Sequence, residues 1–394
     1  MNGKRLAAAI LSTTALASAP AAAATFMSTV VASNLNNPRG LAFGPDGALY
    51  VAEAGVPEAG GPTTVARGIT FHYSETGSIT RVDAGIQQRI INGLPTLGAP
   101  TTGETVGPAD IAFGADGTGY FVTGLGTNPN ARTTDLAPNG AKLGQLYTFN
   151  PGGGTASFAD ISAYEADFNP VGGALDSNPF HIAALPGGGV LVTDAGSNTL
   201  LRALPGGAVS LVRAFGPRDI APTPPFPPTL LSDSVPTGVE IGPDGSYYVA
   251  ELTGFPFTQG SAQIYRLSQF GDLLETYTGF TNLTDIEFGP DGTLYALELD
   301  TNGNATAGGT GRLLRVDPGG AHETLFTQGL VTPTGLAIGA DNAFYITNFS
   351  AAQGIGQVLR VAEVPEPATW GLMIFGFGLV GGAMRLRGAR PLTA

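Results

Sequence analysis

No cysteine occurs anywhere in the 394 residues, so disulfides and thiolate metal sites are excluded outright. Histidine is almost as scarce. His72, His181 and His322 are the whole supply, and a three-histidine zinc site would consume all of them. Only 12% of residues are charged, and acids outnumber bases to a net charge of −13. Setting the two termini aside leaves the remainder more acidic still. Such a surface repels nucleic acid and anionic lipid, while cations are welcome. No serine sits in a nucleophile elbow, and no phosphate-binding loop is present. Glycine runs such as Gly152–Gly154 read as turns.

Glycine (59) and proline (30) are abundant, and 43% of residues are hydrophobic. That balance suits short strands and tight turns. The chain is organised around Gly40-Leu-Ala-Phe-Gly-Pro-Asp-Gly-Ala-Leu-Tyr-Val-Ala-Glu53. It reads as two strands joined by Pro45-Asp46-Gly47, where proline presets φ and glycine accepts the positive φ that follows. The same hairpin recurs at Asp110–Thr123, His181–Asp194, Gly238–Glu251, Asp285–Glu298 and Gly335–Asn348, aligned without a gap. Repetition of one hairpin means that one supersecondary unit is being stacked.

A third strand follows each hairpin, with an arginine at the same place in five units (Arg81, Arg202, Arg266, Arg315, Arg360). One long side chain at a repeated position suggests a structural contact between units. A fourth strand follows in most units, at Gln87–Ile91, Ser210–Ala214, Leu274–Thr278 and Glu323–Gln328. Four antiparallel strands in each of six units predict an all-β, six-bladed β-propeller. The sixth unit runs out of sequence after Val361, whereas Phe26–Ala32 precedes the first hairpin unused. The N-terminal strand is therefore expected to close the last blade and remove its open edge.

Both ends read as addresses. Residues 1–24 carry Lys4 and Arg5, a short apolar run and Ala22-Ala23-Ala24, the pattern of a secretory signal peptide. Residues 25–362 form the propeller. Residues 363–394 hold Pro365-Glu366-Pro367, then Trp370, an apolar glycine-rich stretch over 371–384, and Arg385 and Arg387. On hydropathy alone this is a marginal transmembrane helix behind a proline linker, with a basic cytoplasmic flank.

Those residues also resemble the PEP-CTERM sorting signal. The resemblance implies an exosortase-type sorting enzyme as partner, transient inner-membrane anchoring through 371–384, and cell-surface or extracellular release. A permanent membrane tether is the alternative.

Long insertions fall at Ala54–Thr76, Gly124–Leu143, Pro151–Asn178 and Gly216–Val235. Within the third, Asp160–Phe168 reads as a short helix capped by Asp160. The segment Pro222–Pro228 reads as a stiff, extended loop. All four insertions map to one face, where function is expected. Two rings of positions point there. The starts of the first strands give Gly40, Asp110, His181, Gly238, Asp285 and Gly335. The ends of the second strands give Glu53, Thr123, Asp194, Glu251, Glu298 and Asn348. Glu53, Asp110, Asp194, Glu251, Asp285 and Glu298 are thus candidate ligands for Ca²⁺, which takes six to eight oxygens in flexible geometry. Capping of loop amides is the plainer reading. His181 beside Asp194 is the candidate general base with an orienting carboxylate.

Three stretches resemble the ScyD/ScyE family of secreted propellers: Ile161-Ser-Ala-Tyr-Glu-Ala-Asp-Phe-Asn-Pro170 with Asp176-Ser-Asn-Pro179, Asp194–Arg202, and Val235–Phe257. The hairpins are more distantly similar to NHL repeats and to virginiamycin B lyase-type propellers, in which a metal, a His and a Glu on one face act together. Two functional readings follow. One is an exported protein that binds a glycan, small molecule or extracellular-matrix ligand. The other is a Ca²⁺- or Mg²⁺-dependent lyase or hydrolase.

Overall fold

Six hairpin turns set the architecture. At the first, Asp46 Oδ1 accepts the Ala48 N–H at 3.2 Å, and Gly47 takes φ 78°. Gly117, Gly188, Gly245 and Gly292 occupy the same left-handed position in later turns, and in the sixth it falls to Asn342 at φ 58°. Glycine and asparagine tolerate that region at least cost.

The computed structural model describes residues 25–222, 225–303 and 310–364. The leader and the sorting residues Pro365, Glu366, Pro367, Trp370, Arg385 and Arg387 lie outside the described residues, as does part of the Pro222–Pro228 loop. Residues Phe26–Ala362 form one compact unit, a six-bladed β-propeller. Blade six consists of Leu336–Ile338, Phe344–Asn348, Gly356–Val364 and, outermost, the N-terminal strand Thr25–Leu35. Closure is therefore as expected. It is reinforced where Thr347 Oγ1 donates to the Arg39 carbonyl of blade one at 2.7 Å.

The second strands, such as Leu49–Glu53, Val190–Asp194 and Tyr247–Glu251, are buried at every residue. Each is covered by a neighbouring blade on both faces. Tyr248 and Ile264 of blade four, for example, pack with Ile286, Leu294 and Leu314 of blade five. Each such side chain contributes roughly 1.5–3 kcal/mol.

Two expectations change. Three of the four insertions carry strands of their own. In blade one, strands three and four are long (Ile69–Asp83 and Ile86–Gly98), and Thr63–Ala66 pairs on the extension. Thr155–Asp160, inside the third insertion, is the missing fourth strand of blade two. Arg218–Ile220 pairs with Leu230–Ser232 in the fourth. The helix Ile161–Phe168 forms as expected, with Asp160 accepting the Ala163 N–H.

The repeated arginines mostly serve their own blades. Arg81, Arg266 and Arg360 reach the turn aspartates Asp46, Asp244 and Asp341, and Arg315 pairs with Asp317 and Glu323. The blade-three turn, Pro186-Gly187-Gly188, has no aspartate. Arg202 instead crosses to the Tyr247 hydroxyl and Gln269 carbonyl of blade four.

Candidate functional site

The first strands converge so closely on the axis that six side chains do not fit. A Cβ on Gly40 would lie 1.8 Å from Asp110 Oδ1, and one on Gly335 2.5 Å from the Arg39 carbonyl oxygen. On Gly238 it would meet the Asp285 backbone at 3.1 Å. Glycine at three positions makes room for Asp110, His181 and Asp285 at the others.

These three side chains meet. His181 Nε2 lies 2.8 Å from Asp285 Oδ1, and Nδ1 lies 3.4 Å from Asp110 Oδ2. The backbone fixes both acids. Asp110 Oδ2 accepts the Ile182 N–H at 2.9 Å, and Asp285 Oδ2 accepts the Leu336 N–H at 2.7 Å. Burial pulls the His181 pKa down, but Asp110 and Asp285 outweigh it and raise it to about 10. That shift favours a charged imidazole between the two carboxylates. At Nδ1 the Val239 N–H, at 3.3 Å, competes with Asp110 Oδ2 at 3.4 Å, so Asp285 at Nε2 is the closer carboxylate partner. Burial lifts the Asp110 carboxyl to about 7, with His181 opposing and Asp285 adding.

On the hairpin-turn side of His181 lies a cavity of about 490 Å³. It extends from Asp110 and His181 to Phe43, Phe113, Pro186 and Ile338 at the turn ends, and Glu240 and Glu287 stand in its wall. This central cavity is thus not on the looped face. Burial raises Glu240 to about 7, His181 opposing, and raises Glu287 well above the ordinary carboxyl range, Glu240 adding. Neither glutamate figures among the candidate residues taken from the sequence. The repeat alignment carries their signal, because the equivalent position holds alanine in the other four blades (Ala42, Ala112, Ala183, Ala337).

The second ring does not join the first, which corrects the expectation of one convergent set of carboxylates. Each acid is used inside its own blade. Glu53 accepts the Asn36 N–H at 2.6 Å and pairs with Arg89. Glu298 accepts the Thr281 N–H at 2.8 Å and pairs with Arg312. Glu251 accepts the Ser234 and Tyr265 hydroxyls at 2.6 and 2.7 Å and pairs with Arg218. Asp194, expected beside His181, accepts instead from Ser177 Oγ and from the N–H groups of Asn178, Gly196 and Ser197. Asn348 caps the Val331 N–H in the same way at 2.6 Å. An amide does the job, so the position requires an acceptor rather than a charge. Among the described residues, no three His, Asp or Glu side chains come together as a metal-ligand set.

Residues 363–388 match the PEP-CTERM protein-sorting motif. The chain is an exported, cell-surface substrate of an exosortase. No curated protein matches it. Among solved structures, a gluconolactonase from Xanthomonas campestris aligns with a TM-score of 0.51 and 10% identity, over 85% of this chain and 89% of that one. The soluble aldose sugar dehydrogenase of Escherichia coli aligns at 0.50 and 11%, over 86% and 100%. Virginiamycin B lyase from Staphylococcus aureus aligns at 0.47 and 12%, over 86% and 99%. At these identities the likeness to the first two shows the propeller fold alone. Among the described residues, no helix is long and apolar enough to cross a membrane.

Proposed function

We propose that this chain is a ScyD/ScyE-type propeller that binds a small polyhydroxylated molecule, a sugar or short glycan, in its central channel at the cell surface or in the extracellular matrix. One contrast carries the reading. His181 is engaged at both ring nitrogens by protein groups, whereas among the described residues the Glu287 carboxyl has no hydrogen-bond partner and Glu240 accepts only the Ile241 N–H. With the Glu240 pKa raised to about 7 and that of Glu287 raised well above the ordinary carboxyl range, such groups both donate and accept, as sugar hydroxyls require. Phe43 and Phe113, on blades one and two, add apolar lining to the same cavity. A volume of about 490 Å³ falls within the range of small-ligand sites. Delivery would follow the sorting signal: insertion through 371–384, cleavage near Pro365-Glu366-Pro367, and loss of Arg385 and Arg387.

Native mass measurement of the secreted protein against a panel of mono- and disaccharides tests both halves. The expected mass ends before Arg385. Sugar retention should be weakened at least tenfold by Glu240→Gln with Glu287→Gln. The competing reading, a metal-assisted lyase or hydrolase, keeps His181 and Asp285 at 2.8 Å as base and orienting carboxylate. Turnover of lactones or esters in Ca²⁺ or Mg²⁺ that His181→Ala abolishes would replace the binding reading.

A further inference from the structure

The third insertion is tied to blade three where Ser177 Oγ and the Asn178 N–H donate to Asp194. Glu165, on the helix Ile161–Phe168, is only 3% exposed although it is a carboxylate. It accepts the backbone N–H of Asp176, which ties the two arms of the insertion together. Its other oxygen, Oε2, is buried without a partner, and so is Oδ1 of Asp176. Two such atoms together are unusual, since an unsatisfied buried acceptor costs about 1–3 kcal/mol.

The surroundings are negative. Asp194 acts electrostatically on both carboxyls, and Asp233 adds its charge to Asp176. Asp194 is already saturated by four donors from Ser177, Asn178, Gly196 and Ser197, so it supplies field rather than a free oxygen. The opposing cation is Arg67, which is committed to Glu104 and to the Gly126 carbonyl.

We propose that Glu165 Oε2 and Asp176 Oδ1 are two ligands of a divalent-cation site of the Ca²⁺ class on the looped face. A hard cation satisfies both orphaned oxygens at once and neutralises the field of Asp194 and Asp233. Ca²⁺ completes its shell with water and backbone carbonyls, so two carboxylates suffice. So small a charge count belongs to weak extracellular modules, with dissociation constants of about 10⁻⁴–10⁻³ M. The ion would lock the two arms of the helical insertion together beside Asp194 of blade three, independently of any ligand in the channel.

The test uses the secreted protein, stripped with EDTA and verified metal-free, with calorimetric titration of Ca²⁺ and melting at pH 7.5. Ca²⁺ at 10 mM should bind and raise the melting temperature by about 3 °C. Asp176→Asn and Glu165→Gln should each weaken binding at least tenfold and remove the shift. Asp219→Asn, on the strand Arg218–Ile220 of the next insertion, should leave both unchanged. Absence of binding and of any shift in the parent protein overturns the site, and points to a proton shared between the carboxyls. A shift that survives in the Glu165→Gln, Asp176→Asn double variant overturns it as well. Neither result bears on sugar retention in the channel, which is measured separately.

Discussion

The two rings of acidic positions are built from the same residue types on the same hairpins, yet they meet opposite fates. Asp110 and Asp285 stand where the first strands touch the axis, so they face one another across His181. Glu53, Asp194, Glu251 and Glu298 stand one strand further out, where each faces the loop entering its own blade. Distance from the axis decides whether repeated side chains combine or act singly. In the outer ring, local N–H groups and hydroxyls satisfy every carboxylate, and arginines pair with Glu53, Glu251 and Glu298 but not with Asp194. In the inner ring, one histidine serves two aspartates, and Glu240 and Glu287 are left facing a cavity.

The largest effect should come from the outer ring. Glu251→Ala strands Arg218 and two hydroxyls around a buried void. Breaking a buried pair from one side costs about 3–5 kcal/mol. Denaturant titration should show that loss with an unchanged slope. A cost under about 1 kcal/mol would mean that solvent already reaches the pair and that the two rings differ less than their geometry says.

The inner ring should show itself through pH. His181 has a folded pKa of about 10 against an unfolded value near 6.5. The folded state therefore binds the extra proton. Its stabilisation is complete below about pH 6.5 and is lost as pH rises toward 10. Between pH 7 and 9 the loss should be on the order of 2 kcal/mol, because one pKa unit corresponds to about 1.4 kcal/mol. Asp110 and Glu240, raised to about 7, lose their stabilising protons at lower pH, as pH rises from about 4 toward 7. His181→Gln should flatten the slope above pH 7. An unchanged slope in that variant would show that the imidazole is neutral.

What the sequence made legible was local. The turns, the blade count and the helix cap each depend on residues within a few positions of one another, and all are in place. So is the closing strand, because strand counting leaves Phe26–Ala32 unpaired otherwise. What stayed hidden depends on direction or on unrepeated partners. Arg218 reaches Glu251 from a non-repeating insertion, and Arg89 reaches Glu53 from an outer strand, so alignment of the hairpins is silent about both. Glu240 and Glu287 lie one pleat inside the strand starts, on a side of the channel that the long loops draw attention away from. The fourth strand of blade two is masked by Gly152–Gly154 before it and by the helix that starts directly after it.

The smallest effect belongs to the turn aspartates, which test whether exposure alone separates a supporting carboxylate from a neutral one. Asp244 and Asp291 occupy equivalent turns and make the same local bonds, to the N–H and hydroxyl of Ser246 and of Thr293. They differ in one respect. Asp244 also pairs with Arg266, whereas Arg315 of the Asp291 blade turns to Asp317 and Glu323. At Asp244, burial works upward, but the Ser246 N–H and Arg266 together hold the pKa below the usual range. Its contribution is therefore present above about pH 4 and lost as pH falls through the lowered value. Asparagine keeps an acceptor for the turn N–H and removes the charge and the second acceptor oxygen, the latter alike in both variants. Asp244→Asn should then cost about 0.2–1 kcal/mol at pH 7, the range for half-exposed pairs, and the cost should fade in 1 M salt. Asp291→Asn should cause no measurable change at any salt concentration. Equal losses in both variants would place the effect in the turn itself, and Arg266 would then add nothing to blade four.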